Sequence, residues 1–341
     1  MKHFEMKKLL LILIFFPFIG MSQNGPFYFM DNNIQREYYL HVPNNLQANS
    51  AIIYAFHGWN GNGSSFMNTT NFNTLSDQNG FIVCYPTGLI DNFGYTAWDT
   101  EGITDINFIT ELNDSLTNFY QLDTSKVFAT GYSYGAEMSY HISNCQTTKY
   151  FDAIAPLGGG TWDYVNNGWS VPCSPSINIP VFILNGTSDN EFNYYGGYYP
   201  NVGYYLSVDS TVSIWTGFNS CTFNSNYTLA DLNNDNQLTE VTKYTNPTNG
   251  IQVWLYKVNN GAHEWFDVSP LGSDDFWASE EIWNFFSQIP ITSTVIDDNN
   301  TSNSRLIKSI NVLGQPINSP SNSIIFNIYD DGRVEKRIVI E

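Results

Sequence analysis

The sequence predicts an α/β protein: a mostly parallel sheet with helices on both faces, followed by a small module built only of strands. Three observations carry this expectation. Short runs rich in β-branched and aromatic residues recur along residues 35–260, with amphipathic or glycine-containing stretches between them. Several runs, such as Ile52-Ile53-Tyr54-Ala55-Phe56, are apolar throughout rather than alternating, as strands covered on both faces require. After Pro290 the composition shifts to Thr, Ser, Asn and Asp, and brief apolar runs separated by turn residues follow. With 42% hydrophobic and 16% aromatic residues, the 341-residue chain has the means to bury a large core.

The elements follow in order. Lys2, Lys7 and Lys8 precede the apolar run Leu9 to Gly20, and the order basic, apolar, small or polar makes residues 1–22 an expected signal peptide. That run is too short to span a bilayer, so no membrane span is expected in the mature chain. Strands are expected at 37–42, 51–56, 81–85, 126–131, 151–155, 181–185 and 251–257. Helices are expected at 105–120, where Ile106, Phe108, Ile109, Leu112 and Leu116 share a face, and at 134–143, 201–218 and 274–286. Residues 24–290 then form one α/β domain, 291–303 a linker, and 304–341 a β module too small to be stable without help.

The chemistry centres on Val127 to Met138, which reads as strand, tight turn and helix around Gly131-Tyr132-Ser133-Tyr134-Gly135. A serine in such a turn projects its hydroxyl above the carboxyl edge of the sheet, and glycines on either side let strand and helix approach closely. The motif alone is weak; between a strand and a helix it marks Ser133 as a nucleophile. Of the five histidines, His3 falls in the export signal and His41 in an early strand, while His141 lies eight residues along the helix from Ser133, about 12 Å away. His57 and His263 remain. The order nucleophile, acid, histidine, usual when a serine sits on a strand-to-helix turn, selects His263 as base. It also selects Asp189, at the end of the apolar run 181–185, as the acid that orients it. Glu264, Asp105 and Asp209 are weaker rivals. The oxyanion hole is expected from the backbone N–H groups of Tyr134 and Trp59, the second in the loop His57-Gly58-Trp59-Asn60-Gly61, which His57 orders without acting as base. Tyr194, Tyr195, Tyr198, Tyr199 and Trp265 are expected to offer flat faces to a substrate.

Charge and cysteines narrow the partners. Of 13 Lys+Arg and 32 Asp+Glu, the first 22 residues hold three and one, and residues 293–341 hold five and six; five basic residues are left against 25 acidic in the middle. Such a surface repels phosphate backbones, so nucleic acid is excluded as a partner and neutral substrates are favoured. Cys84 lies in an apolar run and reads as a buried thiol; Cys145 to Cys173 is the preferred bridge, with Cys221 competing for either partner. Asp231 to Gln237 only loosely resembles a calcium loop, since Asn236 and Thr242 stand where glycine and glutamate are needed. No metal or cofactor is expected.

Residues 35–290 resemble the secreted polyhydroxybutyrate depolymerase and feruloyl esterase group of the alpha/beta hydrolases, related to acetyl xylan esterases. The resemblance rests on Arg36-Glu37-Tyr38-Tyr39-Leu40, Phe56-His57-Gly58-Trp59, Cys84-Tyr85-Pro86-Thr87-Gly88, Gly131 to Met138, Asn185-Gly186-Thr187-Ser188-Asp189 and Gly261-Ala262-His263-Glu264-Trp265. It implies a three-layer alpha/beta-hydrolase sandwich with Ser133, Asp189 and His263 as triad. The implied substrates are ester-bearing polysaccharides, oligosaccharides or polyesters: feruloyl or acetyl esters of plant polysaccharide first, polyhydroxybutyrate as the alternative. A reading of another class is a catalytically inactive surface protein that binds glycans through its aromatics. Residues 293–341, with Asn311-Val312-Leu313-Gly314-Gln315-Pro316 and the run Ile324 to Ile340, resemble the sorting domain of the Bacteroidetes type IX secretion system. That implies handling by the secretion machinery through residues 304–341 and release to the cell surface or medium.

Overall fold

Ten strands form one sheet, in the spatial order Phe27–Asp31, Ile34–His41, Ile82–Pro86, Ile52–Phe56, Val127–Tyr132, Ala153–Leu157, Val181–Gly186, Gln252–Asn259, Leu238–Thr245 and Thr222–Thr228. The computed structural model describes residues 25–146, 149–167, 175–199, 203–232, 234–267, 275–289, 306–311, 323–329 and 334–339. The expected signal peptide, the linker and Cys173 lie outside them. The six central strands are parallel, and an antiparallel pair flanks them on each side.

The three layers follow from side-chain alternation along the buried strands. From Ile52–Phe56, Ile52, Tyr54 and Phe56 join one core with Ile106, Ile109 and Leu112 of the Thr104–Tyr120 helix and Trp215 of Val208–Phe218. Ile53 and Ala55 join the opposite core with Phe72 and Leu75 of Phe72–Asn79 and Ile282 and Phe286 of Ala278–Ser287. Successive residues of a strand point to opposite faces, so one pentapeptide supplies both cores.

All seven expected strands are present. The three additional ones are outer strands; Thr222–Thr228 is largely exposed and polar, so it carries little apolar signal. The helices Gly63–Thr70 and Phe72–Asn79 were not expected either. The first is rich in Ser, Asn and Thr and is begun by a cap: the Asn62 side chain accepts from Ser65 N at 2.8 Å, and Ser65 Oγ accepts from Asn62 N at 3.1 Å. The expected helix 201–218 starts later, at Val208, because Gly203–Tyr205 pairs as a strand with Gly197–Tyr199.

The first sheet is anchored near its N-terminal edge by Arg36. Its buried guanidinium bonds Asp105, faces Asp31 at 3.7 Å and lies 4.0 Å from the Phe108 ring centre. Cys145 is disulfide-bonded, whereas Cys84 and Cys221 are free thiols, which removes Cys221 as the competing partner. The chain divides into two compact units, residues 1–291 and 292–341. In the second, Leu306–Asn311, Ser323–Tyr329 and Val334–Val339 form a three-stranded antiparallel sheet. Among the described residues no helix is long and apolar enough to cross a membrane.

Candidate active site

Ser133 sits between the Val127–Tyr132 strand and the Tyr134–Cys145 helix with φ 56° and ψ −119°. A non-glycine residue pays strain to hold this left-handed backbone, and persists there where the surroundings impose it. They do so through the Ser133 N–H, which donates to Leu157 O at 3.0 Å, and through two close approaches. A Cβ on Gly131 would lie 2.1 Å from Gly135 O, and one on Gly135 would lie 2.0 Å from Phe56 O. Only glycine fits at either position, so the motif's glycines are what let this turn close.

The two loops that follow the neighbouring parallel strands bring Asp189 and His263 together. Thr187 N donates to Val258 O and Ser188 N to Gly261 O, both at 2.9 Å, and Asn260 N donates to Thr187 Oγ1 at 2.8 Å. Across this seam His263 Nδ1 meets Asp189 Oδ2 at 2.7 Å. The other carboxylate oxygen accepts from Glu191 N at 2.8 Å and Phe192 N at 2.7 Å. The fully buried Asp189 carboxylate thus has three polar partners, as a buried polar group requires. With Nδ1 engaged, His263 has Nε2 for other work, and its side chain keeps 15% exposure.

Tyr132 ties this pair to the serine turn. Its hydroxyl donates to His263 O at 2.8 Å, and its ring centre lies 4.8 Å from the imidazole. A Cβ on Gly158 would stand 3.2 Å from the Tyr132 ring and 3.6 Å from His263 Cε1, while one on Gly58 would stand 3.3 Å from Ser133 Cβ. Tyr132, the residue before Ser133, thus positions the His263 loop. The sequence held that tyrosine in plain view, but nothing local announces a contact spanning 131 residues.

His57 has the opposite surroundings. Nδ1 donates to Gly58 O at 2.7 Å, Nε2 accepts from Gly88 N at 2.9 Å, and burial pushes its pKa down to about 4. A neutral ring with both nitrogens committed to backbone orders its loop, as expected. The rival carboxylates are engaged elsewhere: Asp105 with Arg36 and Asp99 N, Asp209 with the Tyr194 hydroxyl, and Glu264 with Ala262 N. Among the described residues the backbone N–H groups of Trp59 and Tyr134 donate to no protein acceptor.

The aromatic expectations divide. Tyr194 is a core residue, buried, with its hydroxyl on Asp209, and cannot offer a face; Trp265 is likewise buried between Phe66 and Phe72, its indole N–H on Ser279 Oγ. Both expectations are corrected, because burial here depends on helices that pack from distant parts of the chain. Tyr195 and Tyr198 are exposed, Tyr198 packing across a hairpin on Tyr204. Tyr199 belongs to the same hairpin strand, and its side chain lies outside the described residues. The sequence reading missed exposed Tyr95, packed on Trp59, and exposed Phe93 two residues before it. It also missed Glu137, one turn beyond Ser133, whose buried carboxyl is pushed up to about 8 and accepts from Trp162 Nε1 at 2.7 Å.

No family model matches the chain. A bifunctional acetylxylan esterase/xylanase of Neocallimastix patriciarum is 30% identical over 159 residues, 47% of this chain and 22% of that protein. Feruloyl esterase B of Talaromyces stipitatus is 27% identical over 60% of this chain and 63% of its own length. Acetylxylan esterase A of Aspergillus awamori is 28% identical over 57% of this chain and 67% of its own. The solved acetyl xylan esterase from Aspergillus awamori superposes with TM-score 0.52, at 20% identity, over 76% of this chain and 98% of that one. The chain thus spans a fifth to two thirds of these curated relatives. Its fold is the three-layer alpha/beta-hydrolase sandwich.

Proposed function

We propose that this chain is a serine carboxylic-ester hydrolase that acts through an acyl-enzyme on acetyl or feruloyl esters of plant xylan. The observation that carries the reading is the 2.7 Å Asp189–His263 pair, placed after a serine held in a strained strand-to-helix turn. The names of the sequence relatives, acetylxylan and feruloyl esterases, support the substrate class.

Each step uses a group already described. Ser133 Oγ attacks the ester carbonyl carbon while His263 Nε2 takes the hydroxyl proton, and Asp189 stabilises the imidazolium through Nδ1–H. The carbonyl oxygen, now an anion, accepts from the N–H groups of Trp59 and Tyr134, each worth about 3 kcal/mol in the transition state. Collapse breaks the bond to the alcohol oxygen, which leaves with the proton from His263. Water then gives a proton to His263 and attacks the acyl-serine, releasing the acid and restoring Ser133.

Export completes the proposal: residues 1–22 direct the first membrane crossing, and 304–341 serve a second sorting step. Ser133→Ala should lower turnover of p-nitrophenyl acetate by about 10⁴-fold or more with the circular dichroism unchanged. Undiminished turnover would overturn the mechanism. Comparing acetate and ferulate released from xylan with hydroxybutyrate released from polyester separates the substrate classes.

A further inference from the structure

Exposed Trp59 and Tyr95 pack on each other beside the loop that follows Ile52–Phe56, in a segment that also carries exposed Phe93. Leu89–Ile90 pairs with Thr96–Ala97 as a short hairpin, and Phe93 at its tip is 82% exposed. Trp59 is 52% exposed and Tyr95 40%, their ring centres 4.5 Å apart in an edge-to-face arrangement. Scattered exposed aromatics need no explanation, but adjacent ones next to a reaction site do.

The Trp59 indole and the backbone that carries Phe93 and Tyr95 are held rather than left loose. Asp91 Oδ2 accepts from Trp59 Nε1 at 3.0 Å, and Oδ1 accepts from Phe93 N at 2.8 Å and Tyr95 N at 2.9 Å. One carboxylate therefore orients the indole and the backbone of both neighbouring aromatics. The hairpin is also stapled to the catalytic loop at both ends. Gly88 N donates to His57 Nε2 at 2.9 Å, Trp98 Nε1 donates to His57 O at 2.8 Å, and Asn60 N donates to Thr96 O at 2.8 Å. The Trp59 indole and the hairpin backbone are accordingly tied to the loop whose Gly58 lies against Ser133.

We propose that Trp59, Phe93 and Tyr95 form an aromatic shelf that binds a sugar ring of the chain that carries the ester. This rests on the ester-hydrolase reading and names where the polysaccharide lies. Three features select a sugar. A pyranose presents an apolar C–H face that stacks on such rings, and its equatorial hydroxyls reach the carboxylate at the shelf's edge. The acidic surface turns away anionic ligands but not a neutral glycan. The shelf also adjoins the oxyanion loop, so a ring seated on it stays within a residue or two of the scissile ester.

The test measures binding separately from turnover. In the Ser133→Ala background, xylohexaose binding is titrated by calorimetry and by the change in tryptophan fluorescence. Adding Phe93→Ala and Tyr95→Ala should weaken binding about tenfold. Phe119→Ala, which removes an exposed ring from the Thr104–Tyr120 helix, should leave it unchanged. In the Ser133-intact enzyme the same shelf variants should lower kcat/KM on acetylated xylan about tenfold more than on p-nitrophenyl acetate, through KM. Xylohexaose affinity that is absent, or equal with and without the shelf rings, overturns the shelf even if Ser133→Ala is inactive. Persisting turnover in Ser133→Ala would instead sink the hydrolase reading and leave the binding measurement standing.

Discussion

Two loops at the carboxyl edge of the sheet each carry a histidine, and the chemistry of the site turns on how differently they are held. The loop after Ile52–Phe56 places His57 in backbone bonds at both ring nitrogens, buried and neutral. Among the described residues, the loop after Gln252–Asn259 places His263 against a carboxylate at one nitrogen only. Position relative to a strand end is therefore not what makes a base. A base needs a charged partner to stabilise its protonated form and a second nitrogen with no internal commitment. His57, so held, becomes a staple between its own loop and the Leu89–Ala97 hairpin segment, whose flanking residues both bond it.

Breaking the partner on one side tests this most severely. Asp189→Asn keeps the shape but presents a donor or a neutral acceptor to Nδ1, so the tautomer and the imidazolium both lose support. The expected fall in kcat is about 10⁴-fold, with little change in KM, measured on p-nitrophenyl acetate. On the other side, His57→Gln removes a staple and not a proton acceptor. Activity should fall about tenfold to a hundredfold, with the shape of the pH–rate profile unchanged, because the proposed base is left in place.

Stability against pH sharpens the same contrast. His57 takes up a proton near 6.5 when unfolded and near 4 when folded. Unfolding therefore binds a proton between those values, and stability falls as pH drops from about 6.5 to 4, by about 3 kcal/mol if this group acts alone. Denaturant titrations across that range should show the slope, and His57→Gln should flatten it. Glu137 has the reverse sign. Folded, it keeps its proton up to about 8, and unfolded it releases it near 4.5, so its contribution is complete below 4.5 and lost as pH rises through 8. Glu137→Gln should match the wild type at pH 4 and melt higher at pH 9, by about 3 °C for each kcal/mol recovered. This smallest effect reports on support for Asp189: Glu137 holds Trp162, which packs on Phe192, whose N–H donates to Asp189.

How much of this the sequence disclosed depended on the range of the interaction. The central strands were legible because burial on both faces leaves continuous apolar runs, and Ser133 because its glycines are demanded by the backbone immediately around it. Asp189 and His263 followed from chain order. What escaped were polar or very short elements: the Gly63–Thr70 helix, started by a single asparagine cap, and Leu89–Ile90 with Thr96–Ala97, two residues each. The tyrosine-rich segment misled for a related reason. Tyr194 and Tyr195 are neighbours with the same local chemistry, yet one is buried on Asp209 and the other is exposed, a distinction made by the Val208–Phe218 helix packed beside them. Local composition announces aromatic rings without saying which way they face.

The central claim is that Ser133 is activated by His263 and not by His57. Labelling with a fluorophosphonate, followed by peptide mass spectrometry, reads this directly in the wild type, His57→Gln and His263→Ala. The account predicts a single modified residue, Ser133, labelled readily in the wild type and in His57→Gln and hardly at all in His263→Ala. Labelling that survives in His263→Ala and disappears in His57→Gln would contradict it.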